Sequence, residues 1–188
     1  MYYLFLLLVF SIANTNFLDY NSLFLNSKIK KIDFNYYLNY SGIEEIGKAN
    51  IIISDTCYKL SRSNGKFDNI IISNATIQKN YNSSTNQIFI NHSDFETDSL
   101  VFHFFNNLEL YFNNYFTLDS VYSNIIEYNN DFKMKIFNNS HSIDSIIINS
   151  GAYKIKLFAV QLSPYSIDIF DNPFNIDAPN AFILDLRD

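Results

Sequence analysis

Side-chain chemistry needs groups that can converge, and in this sequence the reactive residue types stand apart. Histidine occurs at His92, His103 and His141, without the short spacings by which imidazoles share a metal ion. Arg62 and Arg187 are the only arginines, and neither lies in a recognisable motif. Acidic residues are scattered singly apart from Glu44-Glu45, whereas general acid–base work needs two groups on one substrate. There is no glycine-rich phosphate loop and no Gly-x-Ser-x-Gly turn to present a nucleophile. Cys57 is single, which rules out an intrachain disulfide and leaves a thiol buried within its own strand unit, the favoured reading, or one paired with another chain. The expectation is a protein that is not an enzyme, with no catalytic residue, no cofactor and no metal site.

Five sequons for N-glycosylation begin at Asn39, Asn74, Asn82, Asn91 and Asn138. With 27 asparagines and 26 serines plus threonines in 188 residues, chance alone yields about that many, so the sequons do not argue for a glycoprotein. Asn82, in Tyr-Asn-Ser-Ser-Thr, is the best-placed loop site. The net charge of −6 excludes the basic footprint that nucleic-acid binding demands. Asn, Ile, Tyr and Phe dominate the composition, and all four have A/T-rich codons, so part of the bias is genomic.

The elements that would position any site fall into three segments. Residues 1–13 have the form of a secretory signal peptide. Leu4 to Ile12 is an apolar run, and Ser11-Ile12-Ala13 places small residues for a cut after Ala13, although Lys and Arg are missing from the start. That run is too short to span a bilayer, and no later stretch would serve as a membrane helix. Residues 14–49 carry helix-like spacing in Ser27–Ile32 and Ile43–Gly47 and are expected to cap a repeat domain. Residues 50–188 form that domain, a ladder of repeats. The first apolar residue of each unit comes after Asn, Gln or Ser, giving Ile51, Ile70, Ile88, Leu108, Ile125, Ile146 and Ile167, at gaps of 19, 18, 20, 17, 21 and 21. Of the fourteen first and third positions, thirteen are Ile or Leu, as one face of a strand requires. An Asn or Asp closes each unit, as a sharp corner favours. A second strand per unit is visible at Phe132–Phe137 and Tyr153–Phe158.

In texture these units resemble the rungs of a right-handed parallel β-helix, the pectin-lyase-like superfamily. The resemblance implies an all-β solenoid of about seven short rungs; a β-sandwich of short strands is the alternative. Within that superfamily the hydrolases and lyases use clustered carboxylates with His, Arg or Lys, and stacking could bring Glu109 and Glu127 together on neighbouring rungs.

If first and third positions face the core, the second points outward. That stripe includes Ile52, Ile71, Phe89, Ile126 and Ile147, where a solvated face should be polar. Either another part of the chain folds over it or it is an interaction surface. The expected function is a secreted or cell-surface binding, adhesion or structural protein with a protein or glycan partner, self-association among the options. A carbohydrate-active enzyme of the pectin-lyase type is the alternative. Expression in a secreting eukaryotic host should yield a mature chain starting near Asn14, read by intact mass; recovery of intact Met1 would reject the leader.

Overall fold

The runs Ile51-Ile52-Ile53, Ile70-Ile71-Ile72 and Ile146-Ile147-Ile148 are β-branched and stiff, and each becomes part of a strand. Short polar turns separate the strands, and each has a local cause. Ser41 and Gly42 both adopt positive φ, 49° and 85°, in the two-residue connection that suits the twist of a hairpin. The side chain of Asn64 accepts hydrogen bonds from the Lys66 and Phe67 amides at 3.0 and 3.2 Å, which closes the next-but-one turn. Asn74 does the same for Ile77 at 2.9 Å, and Asn82 for Ser84 at 2.9 Å.

The structure, a computed structural model, describes residues 21–74, 76–93, 105, 122–129, 132–138, 142–150, 153–166 and 172–187. Among the described residues, a short helix α1 (Ser22–Leu25) precedes eleven strands. They are β1 (Lys30–Tyr40), β2 (Ile43–Ile53), β3 (Tyr58–Ser63), β4 (Asp68–Ser73), β5 (Ile77–Asn82), β6 (Gln87–His92), β7 (Tyr122–Asn129), β8 (Phe132–Asn138), β9 (Ile143–Ser150), β10 (Tyr153–Pro164) and β11 (Phe182–Asp185). They form one open sheet in the order β11-β6-β5-β4-β3-β2-β1-β10-β9-β8-β7. Every neighbouring pair is antiparallel except β11 with β6.

This overturns the parallel β-helix. The fold is all-β, but consecutive strands run in opposite directions within the two meanders β1–β6 and β7–β10, and among the described residues no column climbs a solenoid axis. The period of the ladder is real and has another origin. Ile51, Ile70 and Ile88 lie in β2, β4 and β6, so one repeat is a complete hairpin excursion, down one strand and back. The returning strands β3 (Tyr-Lys-Leu-Ser-Arg-Ser) and β5 (Ile-Gln-Lys-Asn-Tyr-Asn) are polar enough to pass for turns in the sequence. With no solenoid there is no solenoid end to cap: residues 30–49 build β1 and the first part of β2, in mid-sheet. The leader, residues 1–13, lies outside the described residues, as do Leu108, Glu109 and Ile167.

Register assigns the faces. Ile51 stands opposite Leu60, Leu60 opposite Ile71, Ile71 opposite Asn80 and Asn80 opposite Phe89. Ile51 therefore shares a face with Ile71, not with Ile70, because one residue of offset moves a side chain to the other side. The first face holds the main core: Ile32, Phe34 and Tyr36 of β1, Ala49, Ile51 and Ile53 of β2, Tyr58 of β3, Ile146 and Ile148 of β9, Leu157 and Val160 of β10. Phe24 of α1 and Phe105 join the same cluster. The opposite face carries the row Ile52–Lys59–Ile72–Lys79–Ile90. Its apolar members near the centre, Ile52 and Ile72, are buried as well.

The two faces of β9 give a direct test. Ile146→Ala removes a fully buried side chain and should cost about 2–5 kcal/mol, whereas Ile147→Thr, half-buried on the other face, should cost less than about 1.5. Denaturant unfolding of both variants checks this; equal costs would contradict the register.

Candidate functional site

The second face is hollow in its middle. Two rows of side chains cross β10, β1, β2, β3 and β4 side by side. The first reads Gln161–Asp33–Asn50–Ser61–Ile70, and the second Phe158–Asn35–Lys48–Ser63–Asp68. Alternation alone sets this, since Asp33-x-Asn35, Lys48-x-Asn50 and Ser61-x-Ser63 each put two polar groups on the same side of a strand. All of these but Phe158, together with Phe34, Ala49, Arg62, Asn69 and Ala159, line a groove of about 540 Å³. Within the described residues, the side chains of Asn35, Lys48, Asn50, Asp68 and Gln161 enter no hydrogen bond or ion pair with protein. Asp33 is paired with Lys31 at 3.0 Å.

Two backbone features shape the groove. The ladder between β1 and β10 shifts between Asp33 and Asn35, opposite Phe158 to Gln161, and Ala159 takes φ 53° there. This is a bulge with its left-handed position held by alanine, and a bulge bends a strand and increases its twist. The second feature is Gly47. A Cβ there would overlap the Ser63 carbonyl and lie 2.7 Å from the Tyr36 hydroxyl, so glycine alone lets β3 end against β2. Tyr36 covers Gly47 from the core side and donates its hydroxyl to Glu45. Burial, reinforced by the hydrogen bond and charge of Glu45, pushes that phenol well above its ordinary pKa, so it remains a donor at all ordinary pH. Nearby, Arg62 Nε donates to buried Asn69 at 3.2 Å, and Asn69 donates to Asn80 at 2.6 Å and to the Tyr81 carbonyl at 3.1 Å. That chain satisfies the polar groups where the core face turns hydrophilic.

A second hollow, about 390 Å³, lies on the same face over β4, β5, β6 and β11. Ile72, Ile77, Ile88, Ile90 and Ile183 form one wall, and Phe174 and Ile176 of the segment before β11 form the other. Lys59 Nζ donates to the Asn175 carbonyl at 2.8 Å, and Asn86 Nδ2 to the Asn180 carbonyl at 3.1 Å, which ties that segment down. Cys57 borders this hollow, half-buried, and burial raises its pKa, which keeps the thiol protonated and weakly nucleophilic.

The stripe expected to point outward is divided between faces. Ile52 is buried on the groove side, while Ile71 and Phe89 share the core side, Ile71 packed against the core and Phe89 half-buried. Ile147 is half-buried on the groove side; Ile126 stands opposite Met134 in β7, its side chain outside what the structure describes. The sequon asparagines are dispersed. Asn39 lies in β1 beside Glu44, Asn74 and Asn82 close turns, Asn91 lies in β6 and Asn138 ends β8. His92, exposed at the end of β6, contacts the Arg187 carbonyl at 3.3 Å; His103 and His141 lie outside the described residues. Among the described residues no three of His, Cys, Asp and Glu gather as metal ligands would. Sequence reasoning misses the groove residues Asn35, Lys48, Asn50 and Ser61. The signal that could have found them is the i, i+2 polar pair repeated on three successive strands.

Gly47→Ala should destabilise by about 1–3 kcal/mol, by forcing β3 away from β2 beside the groove. Ala159→Gly should instead stabilise by a few tenths to about 1 kcal/mol, since glycine carries no penalty in the left-handed region. Thermal unfolding of both variants checks the signs.

No protein-family model matches this chain, and no curated protein matches it. Among solved structures it is similar to an uncharacterized conserved protein from Thermus thermophilus, at 11% identity and TM-score 0.49, over 90% of this chain and 96% of that one. It is also similar to PNGF-II at 10% identity and TM-score 0.37, over 84% of this chain and 31% of that one.

Proposed function

We propose that this chain is a binding module of the cell exterior that takes its ligand across the groove on the second sheet face and performs no chemistry on it. One observation carries this reading. Side chains from five adjacent strands line a single groove of about 540 Å³, within the range of small-molecule sites. Among the described residues, five of them make no protein contact that would occupy their hydrogen-bonding groups. The exterior location rests on the leader-like residues 1–13. Among the described residues no helix is long and apolar enough to cross a membrane.

Geometry favours binding over hydrolysis here. Asp33 and Asp68 are the carboxylates of the groove, and they sit on β1 and β4, three strand spacings apart. At about 4.8 Å per spacing their backbones are roughly 14 Å apart. Glycosidase carboxylates work at roughly 5–9.5 Å. Lys48 and Asp68 flank Ser63 from opposite sides, but both are exposed to solvent.

Amide chemical-shift mapping against a mixed library of oligosaccharides, short peptides and nucleotides tests the reading. Shifts should concentrate at Asn35, Lys48, Asn50 and Ser61. Shifts gathered instead at Ile72 and Ile88, or turnover of any library compound, would reject it.

A further inference from the structure

Taking the groove as the binding site, we infer that its ligand is a neutral, hydroxyl-rich chain: a short oligosaccharide without sulfate or uronate groups. Three observations lead there.

The groove lies in mid-sheet. The ladders β10–β1, β1–β2, β2–β3 and β3–β4 already occupy the backbone donors and acceptors beneath it. A peptide that binds by strand addition needs a free sheet edge. Whatever rests here is held by side chains alone.

Next is charge. Among the lining residues Lys48 and Arg62 are the cations and Asp33 and Asp68 the anions, so two cations meet two anions. An anionic ligand such as a nucleic acid or a sulfated glycan calls for an excess of Lys or Arg. A polycation calls for the reverse. The lining is electrically balanced, and a balanced lining discriminates against both.

The third observation concerns the groups themselves. Asn35, Asn50 and Gln161 present an amide carbonyl and an amide N–H₂, and Ser61 and Ser63 hydroxyls donate and accept. Asp68 accepts only and Lys48 donates only. A sugar hydroxyl is donor and acceptor at once, and neighbouring hydroxyls on a ring match the paired groups of an amide or a carboxylate. Rows of such groups repeat at the strand spacing, which suits a chain of repeated hydroxylated units better than a single compact molecule.

The test uses the whole chain on a printed array of neutral, sulfated and uronate-containing oligosaccharides, with Asn50→Leu and Ser61→Val as variants. Signal from neutral oligosaccharides that falls at least tenfold in both variants, with melting temperatures unchanged, is the expected result. Should a variant melt early, Asn35→Ala on the neighbouring row provides the same readout. Signal confined to sulfated or uronate-bearing oligosaccharides would overturn the ligand class while leaving the groove as a site. Neutral signal insensitive to all three variants would overturn it as well, placing the sugar elsewhere. An array without glycan signal would overturn it too, and the shift mapping with peptides and nucleotides would then decide the groove on its own.

Discussion

A strand cannot point three consecutive side chains the same way, and this single constraint governs the protein. Each Ile-Ile-Ile run sends its outer members to one face and its middle member to the other. Both faces must then hide apolar surface. In β2, Ile51 and Ile53 enter the main core, and Ile52 must be covered from behind. In β4 the assignment reverses, with Ile71 on the core face and Ile72 covered from behind. The molecule meets this demand with α1 against β1 and β10 on one side and the segment carrying Phe174 and Ile176 on the other. On the second face, beside the area that this segment covers, the strands carry polar residues at alternate positions, and there the groove opens.

The same constraint decides how much could be read from the sequence. Strand identity was legible, because Ile-rich runs bounded by Asn, Ser and Gly have few other fates. Of the Asn and Asp residues expected to close the units, Asp55 and Asn74 fall in hairpin turns, whereas Asn91, Asn129 and Asn149 lie within β6, β7 and β9. Strand direction was not legible. A period of 17–21 residues is shared by a solenoid rung and by a two-stranded hairpin, and the choice hangs on whether the polar stretch between apolar runs is a turn or a strand. Tyr58–Ser63 settles it physically: Tyr58 and Leu60 alternate with Lys59 and Ser61, and the alternation buries Tyr58 in the core completely. A one-residue error in register then moves Ile71 and Phe89 from one face to the other.

The site was less legible than the fold. Lys48, Asn50, Ser61 and Asp33 are ordinary surface types, and each taken alone signals a solvated strand. They become a site only when four antiparallel ladders set them side by side, and a ladder depends on residues far apart in sequence. Gln161 reaches the groove from 128 residues beyond Asp33. The shape of the hollow is likewise nonlocal: it needs the bulge at Ala159 on one side and the close approach over Gly47 on the other. Glycine at position 47 and alanine in a left-handed conformation at 159 are backbone requirements, and composition is blind to both.

Register in the centre of the sheet is thus the claim on which the fold and the groove both stand. The decisive measurement is the set of through-space proton contacts between backbone Hα atoms in β2, β3 and β4. An antiparallel ladder brings Hα pairs together at alternate positions, here along Lys48–Ser63 to Ile53–Tyr58 and along Tyr58–Ser73 to Ser63–Asp68. Contacts along those two ladders are the predicted result. Contacts joining Ile51 directly to Ile70, and Ile70 to Ile88, would restore the solenoid and contradict the account.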